Sequence, residues 1–253
     1  MKKTVFITGA TSGFGEATAK LFAQNGHNII ITGRRNERLI ALQKGIESSY
    51  GTQVLPFCFD VRDEQAVKEA IASLPEWWKN IDILINNAGL ASGLEPIQEG
   101  NTEDWEKMID TNVKGLLFVS KAIIPTMTAN KKGHIINIGS TAGKEVYPNG
   151  NVYCASKHAV DAITKGMRID LLPEGIKVTQ IAPGAANTEF STVRFHGDTE
   201  RANNAYKGYQ PMVAEDIAEV IYYTTTLPDH LCINDLVLTS LAQANSYVIH
   251  RNE

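Results

Sequence analysis

Two side chains able to move a proton lie four positions apart in this sequence. Tyr153 precedes Lys157 by four residues and follows Ser140 by thirteen. On a helix, the side chains of Tyr153 and Lys157 would emerge from one face, about 6 Å apart along the axis. An ammonium group beside a phenol favours the phenolate and lowers the pKa of the phenol from about 10. Tyr153 is therefore a candidate acid/base for an alcohol or carbonyl oxygen, unless the pair is only a part-buried tyrosine next to an exposed lysine.

A glycine-rich turn near the N-terminus predicts a phosphate-binding site. The run from Lys3 to Thr8 is typical of a buried strand, and a helical pattern begins at Glu16. Between them lie three glycines with the spacing Gly-x-x-x-Gly-x-Gly. Glycines let the backbone approach a pyrophosphate, and the N–H groups of the helix start favour the anion. We therefore predict cofactor contacts from Gly9, Thr11, Ser12, Gly13, Phe14 and Gly15.

Two adjacent arginines after the second predicted strand indicate which dinucleotide binds. Arg34 lies 19 positions beyond Gly15, and no acidic residue lies between Ile31 and Asn36. Sites that prefer NAD usually place an acidic residue here, whereas an arginine accommodates a 2′-phosphate. We predict that Arg34 and Arg35 bind this phosphate and that the cofactor is NADP(H); the alternative is solvated charge at a helix start.

Apolar runs alternate with helical patterns along the whole chain. This alternation predicts an α/β fold, a single doubly wound Rossmann-type domain over residues 1–253 with about seven mostly parallel strands and helices on both faces. Ligands bind beyond the carboxyl ends of the strands in such a sheet. The predicted strands are Lys3–Thr8, Asn28–Thr32, Gln53–Phe59, Asp82–Ile85, His134–Ile138, Lys177–Ala182 and Leu236–Leu238. The predicted helices are Glu16–Asn25, Glu37–Tyr50, Glu64–Leu74, Thr102–Thr128, Val152–Leu172 and Ala214–Leu227.

Composition restricts the partners of the chain. A net charge of -4 over 253 residues does not suggest binding to nucleic acid or to an anionic membrane, and no apolar stretch approaches a membrane span. The three cysteines, Cys58, Cys154 and Cys232, are too scattered for a metal cluster or a disulfide framework. We therefore expect a cytoplasmic protein with a small-molecule substrate, no metal, and no nucleic-acid or membrane partner.

Taken in order, these and further motifs resemble the short-chain dehydrogenase/reductase family over essentially the whole chain. The residues that carry the resemblance are Thr8 to Gly15, Asp60-Val61, Asn86-Asn87-Ala88-Gly89, Asn112, Ser140, Tyr153 with Lys157, and Pro183-Gly184 with Thr188. Within the family the chain is most similar to the NADP-dependent 3-hydroxy acid (serine) dehydrogenases. That similarity lies in residues 80–84, 103–106, 133–143 and 188–191.

The resemblance implies further contacts with the cofactor. It places the adenine near Asp60 and Val61, where the Asp60 carboxylate would accept a hydrogen bond from the adenine amino group. It places a ribose at the loop Asn87, Ala88 and Gly89, where small residues leave room and the Asn87 amide can form hydrogen bonds. The nicotinamide is expected at Pro183, Gly184 and Thr188, and the nicotinamide ribose at Tyr153 and Lys157.

We predict four catalytic residues, Asn112, Ser140, Tyr153 and Lys157. In the reducing direction, Tyr153 would protonate the substrate carbonyl oxygen as hydride arrives from NADPH, while Ser140 donates a hydrogen bond to the same oxygen. Lys157 would lower the pKa of Tyr153, and the resemblance implies that Asn112 supports a water relay to this lysine. Asparagine is unfavourable inside a long helix, so a kink or a water site would explain it; the alternative is an asparagine that faces solvent.

The substrate is predicted from a cation near the catalytic residues. A small 3-hydroxy acid, such as L-serine or 3-hydroxypropionate, needs a positive group for its carboxylate, and Arg194 is our candidate; a solvated surface charge is the alternative. Substrate contacts are therefore expected from Ser140, Tyr153 and Arg194. The polar segment 191–211 would be a substrate lid or an ordinary surface excursion.

Other functions remain open at this point. The chain would otherwise reduce other carbonyls, such as 3-oxoacyl thioesters, diketones or sugars, or bind NADP as a sensor without turnover. The helices predicted near 102–128 and 152–172 contain more apolar positions than one core-facing stripe needs. The resemblance implies that these helices pair between subunits in a homotetramer, or else in a homodimer.

Overall fold

Within residues 2–252, seven short strands form one sheet at the centre of the protein. The computed structural model describes residues 2–252. The strands are β1 (Thr4–Ile7), β2 (Asn28–Gly33), β3 (Val54–Cys58), β4 (Ile83–Asn86), β5 (Gly133–Ile138), β6 (Ile176–Pro183) and β7 (Asp235–Leu238). All neighbours pair in parallel, in the order β3-β2-β1-β4-β5-β6-β7. All seven predicted strands are confirmed, each within one residue of its predicted ends.

Helices cover both faces of this sheet. They are α1 (Gly13–Gln24), α2 (Asn36–Tyr50), α3 (Glu64–Ala72), α4 (Thr102–Ile109), α5 (Leu116–Ala129), α6 (Asn151–Asp170), α7 (Glu189–Arg194), α8 (Thr199–Asn204) and α9 (Ala214–Thr225). Successive strand residues point to opposite faces, so Val5 and Ile7 pack with α1, α2 and α9, whereas Phe6 packs with α3, α5 and α6. The predicted doubly wound α/β fold is confirmed.

The connections reverse direction at the middle of the sheet. From β1, the chain first builds β2 and β3 on one side and then crosses to β4 on the other. Such a reversal leaves a crevice at the carboxyl ends of the two central strands, since their following loops diverge. The loop after β1 begins at Thr8, and the loop after β4 begins at Asn87.

The long helix predicted over residues 102–128 is interrupted. Between α4 and α5 the chain forms a π-helical segment, Asp110–Gly115, whose wider turn contains the buried Asn112. The Asn112 side chain donates to the carbonyl oxygen of Leu90 (2.8 Å) and accepts from the N–H of Leu90 (2.8 Å). The expected irregularity at this asparagine is therefore present, and the loop after β4 is tied to it.

Two short helices that were not predicted lie between β6 and α9. We call residues 189–204, which comprise α7 and α8, the strap. Each helix has six residues and begins at a side-chain cap, since Thr188 accepts from the N–H of Phe190 and Asp198 accepts from that of Arg201. Two such short helices give little periodic signal.

No helix within residues 2–252 is both long enough and apolar enough to span a membrane.

Candidate active site

A cleft of about 590 Å³ opens at the crevice beyond the carboxyl ends of the strands. Most residues predicted for the site line it, although they are spread from residue 9 to residue 194 of the chain. They are Gly9, Thr11, Ser12, Gly13, Phe14, Arg34, Arg35, Asp60, Val61, Asn87, Ala88, Gly89, Ser140, Tyr153, Lys157, Pro183, Gly184, Thr188 and Arg194. The predicted residues Gly15 and Asn112 are absent from this lining.

The glycine loop between β1 and α1 forms one wall of the cleft. Gly9 has a φ of +67° and Gly13 a φ of +54°, a backbone region that side chains disfavour. A Cβ at Gly9 would lie 2.9 Å from Cα of Ala88, so the two loops meet in backbone contact. The helix α1 begins at Gly13, and its free N–H groups are therefore available to an anion in the cleft.

Gly15 lies in the first turn of α1, behind the glycine loop. A Cβ at this position would lie 2.4 Å from the carbonyl oxygen of Gly9, inside the buried junction between loop and helix. The lack of a side chain at Gly15 lets α1 start close beneath the loop. Gly15 packs behind the wall of the cleft, and its predicted contact with the cofactor stays a prediction.

Asn87 holds the glycine loop to β4. Its side-chain amide donates to the carbonyl oxygens of Thr8 (2.8 Å) and Gly9 (3.1 Å). The Thr8 hydroxyl in turn accepts from the N–H groups of Asn87 and Ala88. The amide donors of Asn87 are therefore engaged within the protein, and its predicted contact with a ribose stays a prediction.

The arginines after β2 lie at one end of the cleft. The Arg35 guanidinium donates to the hydroxyls of Thr11 (2.9 Å) and Ser12 (2.9 Å), so it borders the glycine loop. It also contacts the Glu189 carboxylate at 2.8 Å, and Arg38 contacts that carboxylate at 2.6 Å. A cluster of guanidiniums next to free helix N–H groups fits a phosphate group.

Asp60 lies between two arginines beside the expected adenine position. Arg62 donates to both carboxylate oxygens of Asp60, at 2.7 to 3.1 Å, and Arg34 lies 3.9 Å away. Burial alone would raise the pKa of Asp60, but these hydrogen bonds and charges hold it below its ordinary value. The sequence reasoning missed Arg62, whose position two residues after Asp60 is the signal that was available.

Tyr153, Lys157 and Ser140 meet in the middle of the cleft. Tyr153 and Lys157 project from α6 as predicted, and both are buried. The Lys157 ammonium donates to the carbonyl oxygen of Ile138 (2.9 Å) and lies 6.0 Å from the centre of the Tyr153 ring. Burial lowers the pKa of Lys157 to about 8. Ser140 follows β5 and donates to the carbonyl oxygen of Pro183 at 3.3 Å.

The predicted direction of the Tyr153 pKa is wrong. Burial raises the pKa of the Tyr153 phenol above its ordinary value, and the neighbouring Tyr147 raises it further. The Ser140 hydroxyl and the Arg194 guanidinium act in the opposite direction. The positive charge that favours the phenolate in this arrangement is thus Arg194, not Lys157, because the lysine is turned towards Ile138.

Asn112 lies behind the cleft wall, next to the lysine. A Cβ at Gly89 would be 3.3 Å from Oδ1 of Asn112 and 3.5 Å from Nζ of Lys157, so both atoms flank this glycine. The Asn112 amide also donates to the Ser156 hydroxyl at 3.0 Å. Asn112 therefore joins the π-helical segment, the loop after β4 and α6, and its predicted part in a relay to Lys157 stays a prediction.

The strap supplies the opposite wall of the cleft. Phe190 packs edge-on against Tyr153, with ring centres 5.6 Å apart. The Arg194 guanidinium lies 5.4 Å from the centres of both the Tyr153 and the Tyr147 rings. It donates to the Tyr147 hydroxyl at 2.6 Å and to the carbonyl oxygen of Gly93 at 3.3 Å. Sequence reasoning missed Tyr147 and Phe190, since aromatic residues next to a motif usually indicate only packing.

Known proteins are similar to this chain over its length. The family model described as short chain dehydrogenase matches residues 3–198. The NADP-dependent 3-hydroxy acid dehydrogenase YdfG of Salmonella typhi is 47% identical over 250 residues, covering 98% of this chain and 99% of that protein. Sulfoacetaldehyde reductase 2 of Chromohalobacter salexigens is 45% identical over 254 residues, which is all of both chains.

A solved structure shows the same fold. It is described as the closed form of serine dehydrogenase complexed with NADP+, and its TM-score to this protein is 0.92 at 45% identity. The match covers 98% of this chain and 100% of that one.

Proposed function

This chain belongs to the short chain dehydrogenase family, and we propose that it transfers hydride between NADP(H) and the C3 hydroxyl or carbonyl group of a small 3-hydroxy acid. L-serine and 3-hydroxypropionate are the candidate substrates. The similarity to an NADP-dependent 3-hydroxy acid dehydrogenase and to a solved serine dehydrogenase complexed with NADP+ supports both the cofactor and the reaction class.

One observation carries the choice of an anionic substrate. Arg194 lies in the cleft beside Tyr153, and its hydrogen-bond partners are a phenol and a carbonyl oxygen, both neutral. Within residues 2–252 it forms no ion pair with an acidic side chain. A guanidinium without a counter-charge beside the acid/base favours a substrate that brings a carboxylate.

The cleft residues would hold the cofactor along its length. The N–H groups of the glycine loop and α1 would hold the pyrophosphate, and Arg34 and Arg35, with Arg38 beside them, would hold the 2′-phosphate. Thr188, Pro183 and Gly184 would border the nicotinamide. The bound cofactor supplies or accepts the hydride at its nicotinamide ring.

The protein side chains perform the proton transfer. In the reducing direction, Tyr153 gives its phenolic proton to the carbonyl oxygen that becomes the new hydroxyl. The raised pKa of Tyr153 keeps this proton in place before the reaction. Ser140 donates a hydrogen bond to the same oxygen, and Arg194 holds the substrate carboxylate. Lys157 is proposed to hold the nicotinamide ribose and to return a proton to Tyr153.

A substrate panel with matched neutral partners tests this proposal. Oxidation of L-serine and 3-hydroxypropionate by NADP+ is followed photometrically beside their methyl esters, which lack the negative charge. We expect kcat/KM for each acid to exceed that of its ester about tenfold or more, and NADP+ to be preferred over NAD+. Preference for the esters, or for 3-oxoacyl thioesters, diketones or sugars, would overturn the substrate assignment. Absence of turnover with tight NADP binding would instead indicate a sensor.

Sulfonates form a second substrate class for the same panel. The unpaired guanidinium of Arg194 would accept a sulfonate as readily as a carboxylate, and one relative is named a sulfoacetaldehyde reductase. Reduction of sulfoacetaldehyde by NADPH, measured beside the semialdehyde of malonate, compares two anions on equally short aldehydes.

Assembly and location form part of the proposal. Leu117 on α5, Ile169 on α6 and Leu172 after it are large apolar residues exposed on the two helices expected to pair, which supports a homotetramer or homodimer. The three free cysteines support a reducing, cytoplasmic location. Light scattering of the purified protein would measure the assembly.

A further inference from the structure

Glu189 joins the strap to the arginines at the phosphate end of the cleft. It is the first residue of α7, directly after Thr188, and it lines the cleft. One carboxylate oxygen contacts Arg35 at 2.8 Å, and the other contacts Arg38 at 2.6 Å. A single carboxylate thus bridges two guanidiniums that come from a different part of the chain.

This arrangement is also the one expected for a bound phosphate. Phosphate and carboxylate groups both accept charge-assisted hydrogen bonds from arginine, and each oxygen can face a separate guanidinium. Arg35 additionally contacts the hydroxyls of Thr11 and Ser12 in the glycine loop and lines the cofactor cleft, so the bridge lies at the edge of the cleft. Burial by itself would raise the pKa of Glu189, yet the two arginines hold it near 2, and the carboxylate is charged at neutral pH.

The contact is not needed to keep the strap in place. The Glu189 side chain is 42% exposed, and ion pairs at such positions contribute little stability. The other end of α7 has its own attachment: the N–H of Gly93 donates to the Arg194 carbonyl oxygen at 2.9 Å, and the His196 ring lies 3.1 Å from the buried Asp104 carboxylate. Loss of the Glu189 contact therefore leaves α7 anchored.

We propose that Glu189 is a specificity-determining residue that competes with the 2′-phosphate of the cofactor for Arg35 and Arg38. The inference rests on the proposed use of NADP(H). A phosphate that binds the Nη1 groups of Arg35 and Arg38 displaces Glu189, because these are the donors that the Glu189 carboxylate now occupies. The carboxylate lowers the affinity for nucleotides that carry a 2′-phosphate and leaves those without it unaffected.

Titration calorimetry with two nucleotide fragments tests the competition. The probes are 2′,5′-ADP, which carries the 2′-phosphate, and 5′-AMP, which lacks it. Glu189→Gln removes the competing charge and keeps the size of the side chain. Glu200→Gln is the matched control, since Glu200 is an exposed acid in the first turn of α8 in the same strap. Thermal melts of all three proteins verify folding.

We expect Glu189→Gln to bind 2′,5′-ADP about fivefold to tenfold more tightly than the wild type, with unchanged affinity for 5′-AMP. Glu200→Gln should match the wild type for both probes. Unchanged or weaker binding of 2′,5′-ADP to Glu189→Gln, or equal tightening for both probes, would overturn the competition. If the wild type itself shows no preference for 2′,5′-ADP, the proposed cofactor is wrong; a normal preference with no effect of Glu189→Gln overturns this inference alone.

Discussion

The two walls of the cleft are built by different means. The glycine loop offers backbone N–H groups, and its shape is set by the absence of side chains at Gly9 and Gly15. The strap offers side chains, and long-range contacts position them: Arg194 lies against Gly93, and Glu189 against Arg35. The glycine loop should therefore tolerate no added atom, whereas the strap should tolerate every change that spares its few functional groups.

Tyr153 lies in the middle of the cleft, between the two walls, and its loss should have the largest effect. Tyr153→Phe removes the proton that the substrate oxygen needs, so we expect kcat to fall by about 10²–10⁴-fold. NADPH binding, measured by fluorescence titration, should survive, since the glycine loop is unchanged. Tyr223→Phe, at an exposed position on α9, is the control. Near-normal turnover of Tyr153→Phe would refute its role as acid/base.

Arg194 tests whether the strap acts through a single functional group. Arg194→Ala should raise KM for L-serine or 3-hydroxypropionate by about 10- to 100-fold, the effect of losing a charged hydrogen bond. Affinity for NADP+ should change little. Arg201→Ala is the matched control, because Arg201 is an exposed strap arginine that stacks on Phe195, 4.5 Å from the ring centre. Equal KM values for wild type and Arg194→Ala would remove Arg194 from the substrate site.

A substitution at Gly15 tests whether the glycine loop tolerates an added side-chain atom. Gly15→Ala forces a Cβ to within 2.4 Å of the Gly9 carbonyl oxygen, so we expect about 1–3 kcal/mol of lost stability and weaker NADP+ binding. Gly45→Ala, in the exposed middle of α2 with no atom within 4 Å of the added Cβ, should instead stabilise by roughly 1 kcal/mol. Urea unfolding measures both changes. The same sign of change in both variants would contradict the steric argument.

A histidine in the buried sheet, below the two walls, should make the stability of the protein sensitive to acid. His134 on β5 is buried against the Thr179 hydroxyl at 2.8 Å, and burial lowers its pKa from 6.5 to about 3. Between these values the unfolded chain binds a proton that the folded protein resists, so stability falls as pH falls from about 6.5 towards 3. At pH 5 the loss from this group should be about 2 kcal/mol.

Urea unfolding at pH 7, 6 and 5 measures this dependence. His134→Gln removes the titrating group, so its stability should decline less steeply with acid than that of the wild type. Parallel declines in the two proteins would show that His134 does not carry the effect.

Local sequence patterns were sufficient to predict the strands and most of the residues that line the cleft. Each strand is a short apolar run bounded by polar residues, and parallel strands bring the loops that follow them to one edge. The sequence therefore predicts that four residues far apart in the chain lie together at this edge: Gly9, Asn87, Ser140 and Pro183. The helices of the strap were not predicted, because a helix of six residues with a single cap shows too little periodicity in the sequence.

The sequence by itself determined the family, the α/β fold, and which residue types stand at the strand ends. The tertiary structure alone decided how charges pair across the cleft. Lys157 turns to the carbonyl oxygen of Ile138 while Arg194, from the strap, lies over the Tyr153 ring, so the cation that favours the phenolate comes from 41 residues away. A pKa depends on burial and on distances between distant segments, and spacing along one helix cannot specify either.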